Sequence, residues 1–123
     1  MKLRYTLKSD CDLKDMRMIS PTLMIMFATV LEFADTYNLP VKITSIISDR
    51  INVVSKSKTH ETGRALDFSV AGWSSRNIGD LTAILLEKHE EIAAISSSDL
   101  KPKPLVCHDY LGQGSHCHLQ SKR

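Results

Sequence analysis

No uninterrupted apolar run in this sequence reaches the roughly 18 residues that a membrane-spanning helix requires, so no membrane insertion is expected. The opening residues, Met1 to Asp10, include basic side chains but lead into no apolar core, and no secretory signal is read there. There is no CxxC pair, and the cysteines (Cys11, Cys107 and Cys117) are odd in number. That pattern argues against a disulfide framework and against a structural zinc finger. Cys107 and Cys117 fall on stretches that could face each other as neighbouring strands, which leaves a bridge open, but buried free thiols are the expectation. Charge of one sign is scarce too. A formal net charge of +2 is too small to argue for nucleic acid, although it is compatible with an anionic surface. Internal repeats, low-complexity tracts and interdomain linkers are absent.

What is present suits one folded domain. At 123 residues the chain is long enough for a real core and too short for two. Its 42% hydrophobic and 24% charged content is that of an ordinary soluble globular protein. Leu3–Leu7 alternates and predicts a short strand at a sheet edge. Ser20-Pro21 predicts a helix start, with a hydroxyl cap and Pro at the first helical position. Leu23, Phe27, Val30, Leu31, Ala34 and Tyr37 then recur at helical spacing, with Met24 and Met26 read as core filler, until Asn38-Leu39-Pro40 ends the run. Val41 to Ile47 is β-branched and reads as a strand, as does Ala65 to Val70. Ala71 to Ser75 is a turn in which Ser74 or Ser75 caps a helix running to about His89. Ile92–Ser97, Pro104–Tyr110 and Ser115–Gln120 read as three short antiparallel strands, the last two joined by Leu111 to Gly114. The expected class is α+β: a small antiparallel sheet with helices packed on one face.

Two polar stretches carry the chemistry: Thr59-His60-Glu61-Thr62-Gly63-Arg64-Ala65-Leu66-Asp67 and Gly114-Ser115-His116-Cys117-His118-Leu119-Gln120. His60 lies in a loop or turn, and Asp67 follows on a strand. His116 and His118 alternate, so on a strand both project from one face. Two imidazoles and one carboxylate suit zinc with a fourth position left for water, the catalytic form of such a site. A set of His60, Asp67 and either His116 or His118 would leave the other histidine beside the metal.

The pattern His-x-x-Gly-x-Ala-x-Asp followed by His-x-His resembles the zinc D-Ala-D-Ala metallopeptidase family, whose members cut peptidoglycan peptides. The resemblance runs from about Val41 to Gln120. It implies one zinc per chain bound by His60, Asp67 and His118, with His116 next to the water as general base or oxyanion stabiliser. No Glu lies near His118 to take that role. It implies hydrolysis of a stem peptide at a D-Ala-D-Ala or related bond, as carboxypeptidase or endopeptidase, in cell-wall lysis of the phage endolysin kind. Such a protein is made in the cytoplasm and acts at the wall after release or from a virion; a monomer is favoured. The chain departs from the family at Lys58, where a Ser is usual, with Ser57 one residue earlier.

Arg50 is the candidate for the family's substrate-contacting Arg, against a solvated loop residue. Asp109 is weighed as an orienting partner of a ligand histidine against an ordinary strand-end carboxylate. His89 is read as a surface or hydrogen-bonded residue, Glu61 as solvated and Arg64 as locally paired. The competing class is a non-catalytic zinc-containing module for wall binding or virion structure.

Overall fold

The computed structural model describes residues 4–8, 16–46, 64–96, 98–110 and 114–122. Within them the protein is α+β, with two helices and a mixed five-stranded sheet. Helix α1 spans Pro21–Thr36 and α2 spans Ser75–His89; the strands are β1 (Thr6–Leu7), β2 (Lys42–Ser45), β3 (Ala65–Ser69), β4 (Leu105–Tyr110) and β5 (Gly114–Gln120). No helix among the described residues is long and apolar enough to cross a membrane.

Local chemistry fixes both helix starts. The Leu23 backbone N–H donates to Ser20 Oγ at 3.1 Å, with Pro21 following the cap. At α2 the bonds are reciprocal: Asn77 N–H donates to Ser74 Oγ at 3.0 Å, and Ser74 N–H donates to Asn77 Oδ1 at 2.9 Å. Asn38, at φ 53°, ends α1 in the left-handed conformation that Asn tolerates better than most residues. α1 buries Leu23, Met26, Phe27, Val30, Leu31, Phe33 and Ala34. Met24, expected inside, is 43% exposed because it falls off this stripe, and Tyr37, the C-cap residue just past the helix, is 53% exposed.

The sheet order is β1-β2-β3-β5-β4. It is not purely antiparallel as expected, because β1 pairs parallel with β2. The physical reason is the connection: the crossover between them contains α1, which carries the chain back to the end it left. The other three pairings are antiparallel. Of Ile92–Ser97, expected as a strand, the described residues 92–96 contribute isolated bridges, Ala93 to Ser121 and Ile95 to Pro102, and Ser97 lies outside the described residues.

Alternation sorts the sheet into two faces. Ile43, Leu66, Phe68, Leu105, Cys117 and Leu119 join the helix residues in one core, in which Phe68, Leu66 and Leu119 are wholly buried. Asp67, Ser69, His116 and His118 alternate with these and lie on the other face. Between Ile43 and Ser45 the β2–β3 register shifts at a bulge, so that Ile43 faces Phe68 and Ser45 faces Asp67.

The expectation of free thiols is corrected: Cys107 and Cys117 form a disulfide across β4 and β5. Gln120 N–H donates to Pro104 O at 2.9 Å, and since pair types alternate along the ladder, Cys107–Cys117 falls on a non-hydrogen-bonded pair. There side chains are closest, and the Cα atoms are 4.0 Å apart. The bond spans 10 residues, for which loop-closure entropy predicts a stabilisation of up to about 3 kcal/mol. Denaturant unfolding with and without a thiol reductant should show a lower midpoint in the reduced protein; equal midpoints would mean that the hairpin is already ordered in the unfolded chain.

Candidate functional site

Asp67 and His118 meet through backbone phase. Val70 N–H donates to Ser115 O at 3.1 Å, and Ser121 N–H donates to Arg64 O at 2.8 Å. Counting inward from either bond, Asp67 and His118 fall on a non-hydrogen-bonded pair of β3 and β5, as do Ser69 and His116. On such a pair the side chains stand close enough to touch. His118 Nδ1 and Asp67 Oδ1 are 2.8 Å apart, with side chains 17% and 20% exposed. Both are thus largely, but not wholly, withdrawn from water.

His116 lies two residues along β5 on the same face, opposite Ser69 on one side and His108 on the other. The His108 and His116 rings have centroids 6.0 Å apart at an interplanar angle of 50°. Val106 sits opposite His118 on β4, giving that imidazole an apolar flank. Ser45 and Ser69, next to Asp67 and His116 in the ladder, are the site neighbours that the sequence did not single out. In the sequence His108 falls on the Pro104–Tyr110 strand, near the motif. Its position opposite His116 follows from counting equal steps back from the β4–β5 turn, which is the signal that could have found it.

The remaining candidates divide. His60 and Arg50, with Lys58 and Glu61, lie outside the described residues. Arg64 has the expected local role, its Nη1 reaching the Ser121 carbonyl at 3.5 Å. Asp109 pairs with Ser115 in the ladder. His89 is hydrogen-bonded away from the site, its Nε2 2.7 Å from Thr29 Oγ1. Burial, and secondarily the charge of Lys88, holds the His89 pKa below the ordinary histidine value.

Among the described residues no group of three or more His, Cys, Asp or Glu is gathered as a metal cluster. The Asp67–His118 pair offers one carboxylate oxygen and one imidazole nitrogen. Two such donors, each at about 2.0–2.2 Å from a tetrahedral zinc, stand roughly 3.3–3.5 Å apart. The observed 2.8 Å contact is shorter, the separation of a hydrogen bond. The donor types, one carboxylate and one imidazole, are those of part of a zinc site. No family model matches the chain, and the comparisons with curated proteins and with solved structures find no match.

Proposed function

We propose that the protein is a zinc-dependent peptidase acting on peptidoglycan stem peptides at a D-Ala-D-Ala or related bond, in cell-wall lysis. The observation that carries the reading is the Asp67–His118 contact of 2.8 Å on the sheet face opposite the core, with His116 two residues away on that face. Asp67 and His118 are two of the three ligands that the motif pattern implies, and His60 is the third. Bound zinc would supply Lewis-acid polarisation of a carbonyl and a nucleophilic water at neutral pH.

The chain's own residues do the rest. Asp67 and His118 would hold the ion from adjacent strands, whose main-chain pairing brings the two side chains together. His116, held on the same strand as His118, takes a proton from the attacking water or stabilises the developing oxyanion. Ser69 faces His116 across the ladder, and its Oγ accepts from the Ala71 N–H at 3.2 Å. Arg50 is proposed for the substrate side.

Hydrolysis tests the reading. Purified stem peptide or cell wall should be cleaved by the zinc-loaded protein, and cleavage should stop with a chelator and return with zinc. Cleavage indifferent to chelator would reject the zinc mechanism. Zinc binding with no cleavage would favour a structural or wall-binding module.

A further inference from the structure

We propose that His108 and His116 form a second metal site, for a transition-metal ion such as Zn²⁺, beside the Asp67–His118 pair. The two histidines face each other directly on β4 and β5, and their ring centroids are 6.0 Å apart. A Zn–N bond of about 2.1 Å puts each ring centre roughly 3.2 Å from the ion, so tetrahedral coordination separates two ring centres by roughly 5 Å. The observed separation reaches that value by small turns of two side chains. Imidazole is a ligand that zinc, copper and nickel all accept. Water completes the coordination, because two protein ligands alone do not.

Rigidity supports the site. The Cys107–Cys117 disulfide joins the adjacent pair of the same ladder, with its side chains on the opposite face. The bond resists slippage of β4 against β5, and a one-residue slip would turn His108 to the wrong face. The edge strand therefore presents His108 to His116 in a fixed register. His108 is exposed and His116 is half-buried, so an ion can reach both from solvent.

A consequence follows that rests on the proposed peptidase function. His116 cannot accept a proton while its imidazole is bound to a second ion. Excess zinc then suppresses hydrolysis by withdrawing His116, leaving the first ion in place. The second site is a brake on the first.

Equilibrium dialysis of the metal-free full chain against Zn²⁺ alone tests the site without any substrate. The expected result is a tight equivalent and a weaker one. His108→Ala should lose the weaker equivalent and keep the tight one. Because His108 is exposed on an edge strand, this change leaves the core intact. Asp67→Asn should do the reverse, losing the tight equivalent and keeping the one that depends on His108. A His108→Ala chain with the stoichiometry and affinities of the unmodified chain overturns the proposal, as does loss of the tight equivalent in that variant. Should Asp67→Asn change nothing while the His108 dependence holds, the peptidase zinc site fails and the second site stands. In the stem-peptide assay, inhibition by zinc above one equivalent should disappear in His108→Ala; persistence of that inhibition would detach the brake from His108.

Discussion

His116→Ala should keep zinc and the fold while losing about 10²–10⁴-fold in turnover, the usual contribution of a general acid–base group. His118→Ala should instead lose the metal, and activity with it. The two histidines share a strand and a face, so exposure and backbone setting hardly differ between them. What separates them is their opposite neighbour: Asp67 for His118, Ser69 for His116. On the proposed function, the carboxylate 2.8 Å from His118 would give zinc a second donor beside that ring, whereas His116 faces a serine. Losing a ligand should weaken zinc binding by more than the roughly 10–100-fold that outer partners cost. Metal content and stem-peptide hydrolysis, measured on both variants, decide the assignment. Zinc lost from His116→Ala and retained by His118→Ala would exchange their roles.

Phe68→Ala should destabilise the fold by about 3–5 kcal/mol, the range for truncating a buried Phe. Its ring is wholly buried, directly behind Asp67 in β3, with a centroid 5.7 Å from that of Trp73. Trp73 also stacks near Phe33 of α1 and donates its indole N–H to the Pro40 carbonyl at 2.8 Å. The cavity would open where α1, the turn before α2 and the site strand converge, so nearby groups cannot collapse into it freely. Against total stabilities of about 5–15 kcal/mol, that loss leaves a marginal protein. Thermal unfolding measures it, and a change below 1 kcal/mol would show that Phe68 is not a keystone of this core.

Features fixed by a few neighbouring residues were legible in the sequence. Ser20-Pro21 and Ser74 announced both helix starts, because a cap is decided within four residues. The strand carrying Asp67 and the alternation of His116 with His118 were equally plain. Features fixed by ladder phase were not. Whether Cys107 meets Cys117 depends on which pairs of β4 and β5 exchange hydrogen bonds, and composition carries no trace of that. The direction of β1 depends on the crossover through α1 rather than on the Thr6–Leu7 alternation. Residues 92–96 look strand-like, but their ladder pairing is confined to isolated bridges, at Ser121 and Pro102, among the described residues. Asp67 and His118 were named from their motifs; that they touch is a property of the β3–β5 pairing alone.

The bulge in β2 gives Thr44 an unusual standing. Ile43 and Ile46 are both buried although three residues apart, a spacing that strict alternation would send to opposite faces. Thr44 absorbs the mismatch. Spliced out, it would leave Ile43 against Phe68, Ser45 against Asp67 and Ile46 still inward, a regular strand with no partner exchanged. Thr44 is thus redundant for pairing, and what it adds is curvature: a bend of the strand beside Asp67.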